Sequence, residues 1–281
     1  MVYSPLMAHS ITRREDGTIE LKITIPQDQV VAAMTEIMDN VAQTAKVPGF
    51  RPGKAPKKMV AESTDINKVN EEALKKLIPQ LYIAAVQEEK IKPIVNPKIH
   101  VDELEEGKDW TFSAITCEMP TVKLGDYKPA VKSLTAKSKI IVPGKEDEKP
   151  NLDMIVKAVV DNTTITIPKI LVDYEVDRLL SQTLDEIKKL GLSLDQYLSS
   201  TGKTPDEVRS EYAEKATSDM KLEFALQQIS DSEKITVEEK EIDEAILKAK
   251  DDKERANLQG NRYLLSNIIR QQKTLDFLQN L

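Results

Sequence analysis

Aromatic side chains are scarce in this chain of 281 residues: four Phe, seven Tyr and one Trp, 4% in all. Charged residues make up 31% and the net charge is −7. That balance reads as helical, soluble and heavily solvated rather than as a compact enzyme. Cysteine is almost absent. Cys117 alone excludes an internal disulfide framework and a thiolate zinc cluster, and it reads as a small buried residue on a strand. The two histidines, His9 and His100, are far apart and neither has a partner at metal-ligand spacing. No run approaches the ~18 apolar residues of a membrane span. Residues 1–10 lack the basic start and apolar core of a secretory signal, so a cytoplasmic protein with no membrane partner is expected. Glycine-rich phosphate loops and Gly-x-Ser-x-Gly are missing too. The acidic pairs Glu105-Glu106 and Asp251-Asp252 lie in charged, exposed runs without the setting acid–base work needs. No catalytic residue, cofactor or metal is expected. A negative overall surface further confines any contact with RNA to a local patch.

What is present begins with alternation. Ser10–Arg14 and Thr18–Ile25 read as two strands joined by the turn Glu15-Asp16-Gly17. Ile19, Leu21, Ile23 and Ile25 share one face of the second, against Glu20, Lys22 and Thr24. From Asp28 to about Thr44, Val30, Val31, Met34, Ile37, Met38 and Val41 recur at three and four, the mark of an amphipathic helix. A short helix over Ala55–Glu62 follows, begun by Pro56. A longer one is capped by Asp65 and runs to about Glu89, with Pro79 kinking or interrupting it. Strands over Ile94–Val101 and Asp109–Glu118 close the unit, the latter with Trp110, Phe112 and Ala114 on one face. This order predicts an α+β domain over residues 1–120, a sheet with helices on one side.

Between the two helical runs lies Val47-Pro48-Gly49-Phe50-Arg51-Pro52-Gly53-Lys54-Ala55-Pro56. Three prolines and two glycines exclude a regular helix there. Phe50 has no apolar periodicity around it to bury it. From Lys46 to Ala61 there are five basic residues and no acidic one. A stiff loop with an aromatic tip and a local positive field reads as a docking element for a large, negatively charged partner.

Gly49-Phe50-Arg51-Pro52-Gly53-Lys54-Ala55-Pro56 resembles the signature of the trigger factor family, chaperones at the polypeptide exit of the bacterial ribosome. The resemblance implies that Arg51 pairs with an acidic residue of an exit-site protein on the large subunit. It also implies that Phe50 packs at the same contact and that Lys54 approaches rRNA phosphates. Many of the family carry lysine where Pro52 stands. The loss of that charge shifts phosphate contacts toward Lys54, Lys57 and Lys58. The implied ribosome-binding set is thus Gly49, Phe50, Arg51, Pro52, Gly53, Lys54, Lys57 and Lys58.

Pro120–Tyr127 looks like the segment with which the family leaves its first domain. A prolyl isomerase domain of FKBP type usually follows there. Here only Lys128–Pro150 intervenes, and Lys128–Asp173 contains no Phe, Tyr or Trp to line a prolyl pocket, so that domain is read as absent. Residues 121–150 are expected to be an extended linker, with Ala130–Val142 extended and Pro143–Pro150 solvated.

Residues 151–281 read as all-α. Helices are expected over Leu152–Val160, Pro168–Leu190, Leu194–Leu198, Thr204–Ile229, Thr236–Lys250 and Lys253–Leu281, with Thr163–Ile167 extended. Gly191 stops the second and Thr236-Val237-Glu238-Glu239 resembles a capping box. Ile167–Asp177, Arg262–Leu265 and Lys273–Leu278 are similar to the family's C-terminal unit. By that likeness the unit is a helical body with projecting arms, part of an elongated, multi-domain protein that cradles unfolded chains. The implied function is an ATP-independent chaperone that binds nascent or unfolded polypeptides. A ribosome-independent holdase or assembly chaperone using the same cradle stays open. So do the clients, the substrate-binding residues, and whether the free protein forms a homodimer.

Overall fold

The computed structural model describes residues 8–44, 50, 56, 59–60, 63–138 and 151–281. They form two compact units, 1–119 with 168–171, and 120–167 with 172–281.

The first unit is built on a four-stranded antiparallel sheet. β1 (His9–Arg13), β2 (Thr18–Ile25), β3 (Lys98–Glu103) and β4 (Trp110–Cys117) lie in the order β1-β2-β4-β3. Gly17, at φ +87°, closes the first hairpin in a conformation that L side chains avoid. The register pairs Leu21 with Ala114, Ile23 with Phe112 and Ile25 with Trp110. The alternating face of β2 is therefore buried against the same layer as β4, and all four of its isoleucines and leucines are core. Two helices supply the opposite wall: α1 (Gln27–Thr44) and α2 (Ile66–Glu88). α1 contributes Val30 and Ala33, while α2 contributes Ala73, Leu77, Leu81, Tyr82 and Ala85.

Three expectations change here. Val31 faces solvent rather than the sheet, because it lies ~100° around the helix from Val30. Pro79 does not interrupt α2. It stands on the exposed face, where water can satisfy the carbonyl its missing N–H would have used. β3 starts at Lys98, not Ile94. The Ile94 N–H donates to the Cys117 carbonyl at 3.1 Å, but Pro97 lacks the donor needed to continue the ladder. Asp65 caps α2 as expected, its side chain accepting from the Asn67 N–H at 3.0 Å. Cys117 is buried, and that burial, aided by Asp16, pushes its thiol up to about 11.

In the second unit, α3 (Tyr127–Ser138) and α4 (Leu152–Asp161) pack with the long α7 (Pro205–Ser232) and the last helix, α10 (Arg262–Gln279). Tyr127, Val131, Ile155, Val159, Ala225, Leu226, Ile229 and Leu278 form their core. The extended reading of Ala130–Val142 is thus corrected: it is helix through Ser138. Tyr127, Val131 and Thr135, spaced by four, are all buried, and this face outweighs the local alternation. The remainder, 139–150, lies outside the described residues. A two-residue bridge joins β5 (Lys123–Leu124) to β6 (Thr163–Thr164). Beside it a Cβ on Gly125 would stand 2.7 Å from the Asn162 carbonyl oxygen, so only glycine fits.

α5 (Lys169–Lys189) ends at Gly191, φ +73°. α6 (Leu194–Thr201) follows, and Thr204 with Glu207 then opens α7 through a reciprocal capping box. α8 (Glu239–Leu247) begins later than Thr236. Lys273 Nζ takes the Thr236 carbonyl at 2.7 Å and Arg270 Nε takes that of Ile235 at 2.8 Å. These bonds hold the preceding segment out of the helix. The expected final helix is two, α9 (Asp252–Gly260) and α10, broken at Asn261. The Asn261 side chain donates back to the Asn257 carbonyl at 3.0 Å, and glycine before it weakens the helix further. Ile242, Ile246 and Leu265 make a second, smaller core here.

Candidate functional site

Structured elements flank the basic stretch on both sides in the sequence. α1 and α2 pack on each other and on the sheet. Downstream, the Pro56 carbonyl accepts from the Met59 and Val60 N–H groups at 3.0 and 3.2 Å, the opening turn of a short helix. Val60 is fully buried and anchors that turn. The Ser63 and Thr64 hydroxyls donate to the Val60 carbonyl at 3.0 and 2.6 Å, and Asp65 begins the next helix. Phe50 is 40% exposed, an aromatic ring with much of its surface left to solvent. Gly49, Arg51, Pro52, Gly53, Lys54, Lys57 and Lys58 lie outside the described residues. In the same unit Lys76 of α2 is paired with Glu36 of α1.

The second unit carries large apolar residues that its cores do not take up. Leu190, Leu192 and Leu194 surround the Gly191 turn, and Leu190 is 74% exposed. Leu247 at the end of α8 is 71% exposed. On α10, Tyr263, Leu264 and Ile268 stand 82%, 58% and 54% exposed, while Leu265 and Ile269, each one position on from Leu264 and Ile268, pack on Ile242 and Ile246. The sequence held part of the signal for this. The apolar pairs 264/265 and 268/269 subtend ~100° each. Since the pairs Leu81-Tyr82 and Ala225-Leu226 are buried, such a pair shows that one member can be left over without saying that it is. Beside this surface, Arg262 forks onto Glu239 and, at 2.8 Å, Asp243 of α8. Leu264 and Ile268, four residues apart, are neighbours on one face of α10, and it is clustered rather than scattered exposed apolar residues that mark interaction surfaces.

Among the described residues no group of three or more His, Cys, Asp or Glu side chains could hold a metal. His9 Nε2 lies 2.8 Å from a Glu89 oxygen, an ordinary strand-to-helix tie. No described helix is long and apolar enough to cross a membrane. The Tyr127 hydroxyl is pushed up to about 12 by burial and by Glu233, to which it donates at 3.0 Å. That bond ties α3 to the residue that ends α7.

Residues 7–155 match the family model described as bacterial trigger factor protein, and residues 145–280 match that of its C-terminus. The two matches overlap and leave no stretch between them. A trigger factor of Streptococcus gordonii is 37% identical over 122 residues, covering 43% of this chain and 29% of that protein. One of Staphylococcus epidermidis is 34% identical over 116 residues, 41% of this chain and 27% of that protein. The aligned segments therefore span less than a third of these relatives. A solved structure from work on promiscuous substrate recognition in folding and assembly activities of the trigger factor chaperone aligns with a TM-score of 0.62. It covers 96% of this chain and 99% of that one, at 12% identity, a likeness of fold.

Proposed function

Because the chain belongs to the trigger factor family, we propose that it is an ATP-independent chaperone that docks at the polypeptide exit of the large ribosomal subunit. Docking runs through residues 49–56 with Lys57 and Lys58. Emerging or unfolded chains are held on the exposed apolar residues of the second unit, and release needs no nucleotide. The observation that carries the reading is Phe50, an exposed aromatic within an intact family signature and a wholly basic stretch. Arginine and aromatic residues are the types that dominate interface energies, with truncations costing ~2 kcal/mol or more. Within this reading Arg51 meets a carboxylate of an exit-site protein, and Lys54, Lys57 and Lys58 meet rRNA phosphates.

The direct adjacency of the N- and C-terminal family matches supports a further part of the reading: the chain works without prolyl isomerase activity, as a cytoplasmic holdase. A prolyl-peptide assay should return only the uncatalysed rate, tens of seconds or slower.

Co-sedimentation with purified ribosomes at two salt concentrations tests the docking. The wild-type chain should pellet, less at high salt, and Phe50→Ala/Arg51→Ala should stay in the supernatant. Equal pelleting of both chains, or of neither, would make a ribosome-independent holdase the better account.

A further inference from the structure

Among the described residues, one edge of the first unit's sheet is open. β3 ends the order β1-β2-β4-β3, and among the described residues it pairs with β4 alone. Every second residue of such a strand turns both its N–H and its C=O away from the neighbour, so the edge offers a row of donors and acceptors. All six residues of β3 are exposed. Ile99 pairs with Ala114 and Val101 with Phe112. Both therefore sit on the face that α1 and α2 bury elsewhere in the sheet, yet they stay 36% and 37% exposed. The helical layer does not cover this edge. Leu104, just beyond it, is exposed as well. The opposite edge differs: Ile11 of β1 packs onto the core, and Arg13 and the adjoining Arg14 are held by Glu118 and Glu20 at 3.0 and 2.7 Å.

We propose that β3 takes up a short extended segment of an unfolded polypeptide as a fifth strand. The backbone row sets the conformation of the guest. Ile99 and Val101 receive its alternate apolar side chains. The charge beside the edge sets its sign: residues 102–109, which follow the pairing segment, contain five carboxylates and one lysine, while the segment itself carries Lys98 and His100. Asp102 accepts from the Ser113 hydroxyl at 2.7 Å and Glu105 is paired with Lys108, while Glu103 and Glu106 are exposed. The guest is thus a segment of alternating apolar residues with a basic end that lies beside 102–106. The irregularity between Val101 and Glu103 ends regular pairing, so the guest pairs along 98–101. This inference rests on the reading of the chain as a holder of unfolded polypeptides, and it assigns the first unit a client site of its own.

The test uses the whole chain, labelled with 15N, and a capped peptide of alternating valine and threonine with two lysines at one end. A second peptide carries N-methyl groups at alternate residues; it keeps charge and side chains but cannot complete a strand edge. The expected result is amide shifts and slowed hydrogen exchange confined to 98–103 and the facing residues of β4. The methylated peptide, and the variant Ile99→Lys/Val101→Lys with the unmodified peptide, should bind at least ~10-fold more weakly. Equal binding of the methylated peptide, or no response at β3, would overturn the proposal. So would protection of β3 that rises with protein concentration without peptide, which would make a second copy the occupant. Aggregation suppression by the wild-type chain is measured beside it. A chain that suppresses aggregation while β3 stays silent refutes this site alone, whereas failure to suppress aggregation refutes the chaperone reading itself.

Discussion

Tyr263, Leu264 and Ile268 are the sharpest point at which a holding surface can be separated from a core. Replacing all three by Gln leaves helix propensity nearly unchanged and touches none of the contacts of Leu265 and Ile269 with Ile242 and Ile246. Their exposures of 82%, 58% and 54% amount to roughly two fully exposed side chains, and burying each contributes about 1.5–3 kcal/mol. A loosely held segment covers about half of that surface, so the expected loss is about 2 kcal/mol, a roughly 30-fold weaker Kd. The assay is fluorescence anisotropy with a labelled, permanently unfolded protein, together with a thermal melt by circular dichroism. The melt should not move. Unchanged affinity in a normally folded variant would refute the assignment of this face to clients. A large drop in melting temperature would show instead that these residues are structural.

Other expectations concern the second unit. Leu278→Ala opens a cavity among Val131, Val159 and Ile229 and should cost about 2.7–5 kcal/mol, read as a lower urea midpoint in far-UV circular dichroism. Thr274→Val removes a hydroxyl within 2.6 Å of the Ser230 hydroxyl, both buried. Ser230 still donates to the Leu226 carbonyl at 2.7 Å, so the cost by the same measurement should stay near ~1 kcal/mol. Lys128, at 2.7 Å, and then Tyr127 hold the Glu233 carboxyl below its usual range. Its contribution to stability is therefore complete above the unfolded carboxylate value of ~4.3 and fades as pH falls through the lower folded value. Urea midpoints of the wild type and Glu233→Gln should differ at neutral pH and converge in acid; a constant gap would refute the assignment.

The first unit was legible where one pattern had a single use. In β2 four apolar residues alternate with polar ones, and a two-residue period has one solution on a half-covered sheet. The turn at Gly17 and the cap at Asp65 are set by side-chain chemistry within a few residues. The signature around Phe50 was equally plain, because its residue types cannot serve a helix or a core. Reading failed where the choice was non-local. Val31 is as apolar as Val30, and only the position of the sheet decides which is buried. Ala130–Val142 carries both alternation and a four-residue spacing, and the packing of Val131 against α4 and α7 selected the helix. The late start of α8 depends on Arg270 and Lys273, which lie more than thirty residues further along the chain.

The candidate client surfaces divide in the same way. The sequence by itself determined where the apolar stripes of the helices run, but not which of their residues stay exposed, since a pair such as Ala225-Leu226 is wholly buried and Leu264-Leu265 is not. It also determined the charge around each and the family signature around Phe50, because these are properties of residues and their neighbours. Only the tertiary structure decided that Leu265 packs and Leu264 does not, and that the helical layer leaves Ile99 and Val101 uncovered. Burial is a property of what arrives from elsewhere in the chain, and no local pattern encodes that.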